Sequence, residues 1–297
     1  MKALILAAGL GKRLRPLTLK RPKALIPVVN VPVLEKNIHY LKAHGITEIM
    51  VNTHYLHEQI EKHISNKEFG IPVHTIFEPH ILGTGGAIKN ISDFWGMEPF
   101  FIMNADIVTD INISKAYKWH IGNSSLATLI LHRYPRFKKI KMDKDHCITE
   151  IKKKDDDSAL SFTGIHILDP NMLDYMPDGA FGIVDFYMDM INRGFSIKGY
   201  VCQDHRWRDI GTIRDYMIAN KEALGDSRLF IDETAVVHPT ARFVDWAIVG
   251  KNCIIGENSL ISRSVMWENT VIEKGLSILD SIITGGKINR DLKNIVA

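Results

Sequence analysis

Only three cysteines, Cys147, Cys202 and Cys253, occur in 297 residues. They are odd in number and widely separated, which excludes a disulfide framework and the short paired spacing of a zinc site. They read as free thiols of a reducing cytoplasm. Long hydrophobic runs are also missing. No stretch approaches the roughly 20 apolar residues of a membrane span. The apolar run inside MKALILAAGLGKR is too short for a secretory signal and is followed at once by glycines and charges. Nor is there an excess of one charge. Lys and Arg total 37 against 34 Asp and Glu, a net of +3 with the signs well mixed, so the concentrated basic face of a nucleic-acid binder is not expected. The sequence therefore implies a cytoplasmic protein with neither membrane nor nucleic acid as partner. With 45% hydrophobic and 24% charged residues, it can bury one large core or two smaller ones.

From Lys2 to about Leu224, short apolar runs alternate with amphipathic stretches. Lys2–Leu6, Glu48–Val51, Val73–Phe77, Phe100–Met103, Leu126–Leu131 and Phe162–Leu168 read as strands. Val33–His44, His57–Ile64, Gly85–Ile91, Ile113–His120, Val184–Asn192 and Ile213–Leu224 read as helices. This rhythm predicts an α/β fold, a mostly parallel mixed sheet sandwiched by helices. The run Lys152–Asp157 (KKKDDD) reads as a solvated loop tip.

Beyond Gly225 the period becomes six. Ile231, Val237, Phe243, Val249, Ile255, Ile261 and Trp267 are spaced six apart, with a lapse at Glu273 before Leu279. Small or β-branched residues follow four positions after each. Nine hexads over Ile231–Thr284 predict three coils of a short left-handed β-helix. The expected division is residues 1–225 and residues 226–297, with Trp246 and Trp267 covering the second region or an oligomer contact. His54, His57 and His63, among Glu58 and Glu61, read as a solvated helix face and not as a metal site.

Three segments carry chemistry. The first is Leu6–Lys23, LAAGLGKRLRPLTLKRPK, where a strand ends in small residues. Such residues let backbone N–H groups approach an anion closely. It is not a Walker A loop, because Leu6 and Arg13 stand where Gly and Ser or Thr are needed. It is not a dinucleotide fingerprint, because Leu14 replaces the last Gly. The second is Leu82–Asn90, LGTGGAIKN, which admits a flat ring against backbone and aims a helix N-terminus at an anion. The third is Asn104-Ala105-Asp106, directly after an apolar strand, where open α/β sheets bind ligands.

Together these segments resemble the sugar nucleotidyltransferases, which join a nucleoside triphosphate to a sugar 1-phosphate and release pyrophosphate. The resemblance covers Lys2 to about Leu224, and the hexad tail fits several members. It implies that the turn containing Ala8, Gly9 and Gly11 wraps the triphosphate. It further implies that Arg13 grips the β- and γ-phosphates and Lys23 meets the α-phosphate and the sugar phosphate. Lys12 departs from the usual Thr or Ser. Gly83 and Thr84 would hold base and ribose, and Glu78 would read the base edge. Asp106 and Asp209 (in Trp207–Thr212) would hold Mg²⁺, although an N-cap role also suits Asp209. Glu150, Lys152 and Gly164 would meet the sugar, though the usual Glu-Lys-Pro string lacks its Pro. Asp185 matches an acidic helix-start position, or caps that helix.

The string around Glu78 and Gly83 is most similar to guanylyltransferases for mannose or manno-heptose 1-phosphate. A carboxylate only accepts hydrogen bonds, which suits the two adjacent donors of guanine and favours GTP, with UTP or dTTP on another sugar as alternatives. A non-catalytic nucleotide-sugar-binding subunit would not need both metal positions. An acyltransferase of the tail would have only His238 and no partner base. Since all the matched motif residues precede Gly225, the tail is expected to assemble a homo-oligomer and not to perform the chemistry.

Overall fold

The computed structural model describes residues 1–297, and the chain divides into two compact units. One comprises residues 1–10 and 36–207, the other residues 11–35 and 208–297.

The first unit is built on a nine-stranded mixed sheet. Lys2–Leu6 lies at its centre, between Glu48–Thr53 and Phe100–Asn104, and Val73–Phe77 flanks Glu48–Thr53; all four run parallel. The chain thus steps outward on one side of Lys2–Leu6 and then crosses to the other. That reversal places the C-terminal ends of Lys2–Leu6 and Phe100–Asn104 at a topological switch point, where α/β sheets bind ligands. Leu160–Leu168 runs antiparallel to both Phe100–Asn104 and Ala127–His132, and Ile197–Val201 is parallel to Ala127–His132.

The apolar alternation explains the layering. Leu4, Phe100 and Ile102 pack with Ala87 and Ile88 of the helix Gly83–Asn90 in one cluster. Ala3, Ile5, Phe101 and Met103 point to the opposite face and are also fully buried. A sheet buried on both faces requires helices on both. The expected strands and helices are all present, with ends shifted by up to three residues, helix ends being the least well marked.

Several elements had no counterpart in the sequence reading, among them an edge hairpin and the strand Ile197–Val201. The edge hairpin Lys138–Met142 and Ile148–Ile151 alternates lysines (KKIKM) with only a short apolar face, Ile140 and Ile148, which joins the core. Ile197–Val201 is interrupted by Gly199, where a Cβ would lie 2.6 Å from Leu131.

In the second unit, residues 229–293 form stacked parallel strands consistent with a β-helix. Phe243 faces Ile261 and Val237 faces Ile255, offsets of three hexads. Val237, Phe243, Val249, Ile255 and Ile261 line the core, as the hexad register expects.

Beyond Ile261 the register is corrected. The inward residues are Met266, Ile272 and Ile278, each displaced by one from the Trp267, Glu273 and Leu279 series, followed by Ile283. Pairing of Arg242–Val249 with Leu260–Met266 passes from Val244↔Ser262 to Ala247↔Ser264, so the second strand is one residue shorter. Arg263 (φ 44°) and Asp245 (φ 67°) mark the irregularity. Glu273 is thus no lapse: it sits outside and pairs with Lys287 at 2.6 Å. Coils shorten further, from Ile254↔Val271 to Ile272↔Ile288 and Ile278↔Leu292.

Candidate active site

In the first unit, several expected residues gather at the C-terminal ends of the central strands. Ala7, Ala8 and Gly9 follow Lys2–Leu6. No atom lies within 4 Å of where a Cβ of Gly9 would be, so its backbone faces open space. Asp106 follows Phe100–Asn104, and the Ala105 N–H donates to the Leu6 carbonyl at 3.1 Å, fastening one turn to the other. Gly164 joins them. It lies in a bulge of Leu160–Leu168 with φ +76°, and a Cβ there would be 2.7 Å from Asn104 Nδ2. Only glycine lets this bulge close against the Asn104-Ala105-Asp106 turn.

Glu78 is buried, with 1% exposure. Its Oε1 accepts from Asn52 Nδ2 at 2.8 Å and its Oε2 from the Leu82 N–H at 3.1 Å. Asn52 Oδ1 in turn accepts from the Ala7 N–H at 2.8 Å. The chain Ala7–Asn52–Glu78–Leu82 therefore links the small-residue turn to the start of Gly83–Asn90. Where a carboxylate open to a base edge was expected, each oxygen already has one internal donor. Asn52 was not anticipated, and nothing in its sequence context signals it.

The segment Gly83–Asn90 also differs from expectation. Its leading N–H groups do not face an anion: Gly85 and Gly86 donate to the Phe181 carbonyl at 3.0 and 3.3 Å. Thr84 Oγ1 accepts from the Ile183 N–H at 2.9 Å. A Cβ on Gly83 would meet the Phe181 carbonyl at 2.5 Å, and one on Gly85 its ring at 2.1 Å. The glycines here admit residues 179–183, which use up the helix terminus. Asp185 lies exposed in the first turn of Ile183–Asn192, whose N-cap is Gly182, so the capping explanation for Asp185 does not hold. Glu150 and Lys152 belong to the sheet-edge hairpin. There Lys152 binds Asp156 and lies 3.8 Å from Glu150, and Asp156 also pairs with Lys141.

The second unit holds the basic residues of the signature. Gly11 (φ +60°) turns the chain, and a Cβ there would lie 2.7 Å from Thr18 and 3.4 Å from Lys23. Thr18 Oγ1 donates to the Gly11 carbonyl at 2.8 Å, and Leu14 and Leu17 are buried beneath. The loop is thus closed on itself, with Arg13 at its exposed edge and Lys23 against its base. Asp209 ends the strand Trp207–Asp209 and is 9% exposed. The helix Ile213–Ala223 is capped by Thr212, whose Oγ1 accepts from the Asp215 N–H at 3.1 Å, so the capping explanation for Asp209 falls away. At Gly211, a Cβ would be 2.6 Å from Asp209 Oδ2 and 3.2 Å from a terminal nitrogen of Arg13. The two charged ends converge on this glycine.

Residues 2–225 match the model of the family described as Nucleotidyl transferase. The chain belongs to that family. It is 31% identical to the D-glycero-α-D-manno-heptose 1-phosphate guanylyltransferase of Aneurinibacillus thermoaerophilus, over 75% of this chain and 98% of the relative. It is 26% identical to the UTP–glucose-1-phosphate uridylyltransferase of Synechocystis, over 96% and 87% respectively. The solved structure of HddC from Yersinia pseudotuberculosis superposes with a TM-score of 0.66 at 24% identity, covering 75% of this chain and 99% of that one. The reading of the chain as an enzyme, a sugar-1-phosphate nucleotidylyltransferase, stands on the family match.

Proposed function

We propose that the chain condenses GTP with a mannose- or heptose-type sugar 1-phosphate to give a nucleotide sugar and pyrophosphate. The observation that carries this reading is the convergence on Gly211 of Arg13, a cation on the loop closed by Gly11 and Thr18, and Asp209, a carboxylate at the end of the strand Trp207–Asp209. In this reading residues 1–225 carry the chemistry and residues 226–297 form a left-handed β-helix of hexapeptide repeats.

The donor chemistry fits Mg²⁺. Asp106 and Asp209 offer hard carboxylate oxygens, and no group of three or more His, Cys, Asp or Glu could hold a metal unaided. Two carboxylates suit an ion that takes its remaining ligands from phosphates and water. When bound, Mg²⁺ neutralises phosphate charge and orients the phosphate oxygens. The chain's own work is alignment. Arg13 grips the β- and γ-phosphates and so stabilises the departing pyrophosphate. Lys23 draws the α-phosphate and the sugar phosphate together. A sugar phosphate oxygen attacks the α-phosphorus in line, a new P–O bond forms, and the bond to the β-phosphate oxygen breaks without a covalent enzyme intermediate. Ala8, Gly9 and Gly11 supply backbone N–H groups, Gly83 and Thr84 the floor for base and ribose, and Gly164, Glu150 and Lys152 the sugar side.

Guanine is supported by the heptose guanylyltransferase relative and by Glu78, whose oxygens each keep a lone pair beyond the donor already bound. The uridylyltransferase relative keeps UTP as the second reading. The deciding measurement is pyrophosphate release, with kcat/KM compared for GTP, UTP, CTP, ATP and dTTP against a panel of sugar 1-phosphates. GTP with a manno-configured sugar is expected to lead; a lead for UTP with glucose 1-phosphate refutes this assignment. A homo-oligomer formed through the β-helix is supported by an outward apolar ladder, Val236 (64% exposed) in register with Ile254 (46% exposed).

A further inference from the structure

The segment Gly11–Lys23 consists of short 3₁₀ turns, with no sheet or long helix to fix it. One of its attachments lies in the β-helix. Arg21, two residues before Lys23, forms a two-pronged ion pair with Glu268: one guanidinium nitrogen is 3.3 Å from Oε2 and the other is bonded to Oε1. The guanidinium carbon also lies 4.5 Å from the centroid of Trp267. Trp267 is 3% exposed, and its Nε1–H donates to the Tyr216 hydroxyl at 2.8 Å. Farther along, the Val29 N–H donates to Asn220 Oδ1 at 3.0 Å and Asn30 Nδ2 to Asp232 Oδ2 at 3.0 Å.

We propose that the coil bearing Trp267 and Glu268 is a positioning element for the triphosphate-gripping loop, acting through Arg21. This rests on the role given to Arg13 and Lys23 above. An isolated surface ion pair contributes little, because solvent screens it and the side chains lose freedom. Here the same guanidinium is stacked on a buried indole, and the indole is itself fixed by a buried tyrosine. The bidentate geometry and the stack hold Arg21 in one orientation. Burial opposes ionisation of Glu268, yet the hydrogen bonding and charge of Arg21 more than offset it and hold its carboxyl below the usual range. Since Arg21 follows Thr18 by three residues and precedes Lys23 by two, fixing it fixes the loop base against which Gly11 turns. On this proposal the tail, expected to assemble a homo-oligomer and not to perform the chemistry, also prepares the loop for phosphates without touching substrate.

The test is steady-state kinetics on the full chain with Glu268→Gln, Arg21→Glu, and the exchange Arg21→Glu with Glu268→Arg. Unfolding temperature and solution size are measured on each. A misplaced phosphate loop should raise the KM for the triphosphate about tenfold in each single variant. The KM for sugar 1-phosphate should change less than threefold, and the exchange should recover at least half of the loss. A purely structural pair would lower unfolding temperature and active fraction without altering either KM. A parent that transfers nucleotide while both single variants keep its triphosphate KM overturns this inference alone. A parent that releases pyrophosphate with no triphosphate and sugar 1-phosphate pair overturns the functional reading and this inference with it.

Discussion

Arg13 and Asp209 are 196 positions apart in sequence, and both crowd the Cα of Gly211: a Cβ there would be 2.6 Å from the carboxylate and 3.2 Å from the guanidinium. Gly211 is not in the left-handed region, so its backbone suits any residue; the restriction is steric. Gly211→Ala should therefore displace Asp209 first and Arg13 second, with little effect on folding. Turnover is expected to fall at least tenfold while the unfolding temperature moves by only a few degrees. An alanine variant with parental kcat would mean that neither charge needs its present place.

Asp106→Asn and Asp209→Asn each replace a carboxylate proposed to hold Mg²⁺ by an amide of the same shape. Turnover should drop by about two orders of magnitude, the scale of losing one preorganised electrostatic group. Added Mg²⁺ should recover part of that loss if the fault is weak binding. Near-parental turnover of either variant at saturating Mg²⁺ removes that aspartate from the metal site.

Much of the fold was legible because the strands are apolar runs and the helices have a 3.6-residue stripe, as in Leu34, Ile38 and Leu41, all fully buried. The hairpin Lys138–Met142 and Ile148–Ile151 was not, since its buried face is only a few residues long, Ile140 and Ile148 among lysines and acids, too short a pattern to stand out. The hexad slip was hidden by an accident of composition. Trp267 is as apolar as a core residue, so the series seemed to run on past Ile261, whereas Met266 is the residue turned inward. Gly11 was read as part of a small-residue turn and Gly164 came with the family resemblance, and both now prove to be close-packed positions with positive φ. The candidate site was not legible where one polar side chain meets another far along the chain, as for Asn52 with Glu78 or Arg21 with Glu268. Those pairs depend on sheet order and coil register, which no local pattern reveals.

Two imidazoles should govern acid stability. Burial pushes the His166 ring down to about 3, and burial together with His205 pushes His132 down to about 4. The unfolded chain, near 6.5, binds more protons than the folded one below that pH. Stability from these groups is therefore complete above pH 6.5 and is lost as pH falls toward 4 and 3. At pH 5 each should have cost about 2 kcal/mol. His166 Nδ1 lies 3.0 Å from the Tyr187 hydroxyl, a contact that glutamine can also make. His166→Gln should thus flatten the fall in urea-unfolding free energy between pH 7.5 and 5.0 by about 2 kcal/mol. An unchanged slope would exclude His166 as a source of it.

Glu78→Gln separates holding the loop from reading the base. The carboxylate accepts from Asn52 Nδ2 and from the Leu82 N–H, but a glutamine has one oxygen and would turn its NH₂ toward one of those donors. Asn52 cannot adjust by flipping, because its own Oδ1 accepts from the Ala7 N–H and a flip would set two donors against each other there. One buried donor is left facing a donor whichever way the amides turn, which should cost about 1–3 kcal/mol in unfolding free energy. If Glu78 only braces the loop, kcat/KM should fall by a similar factor for every nucleotide. If its remaining lone pairs also meet the ring N–H and amine of guanine, GTP should lose at least tenfold more than UTP. Stability lost with nucleotide preference unchanged would leave Glu78 as a brace and assign base selection to other groups. A variant as stable as the parent would show that the Asn52–Glu78–Leu82 chain does not hold the loop.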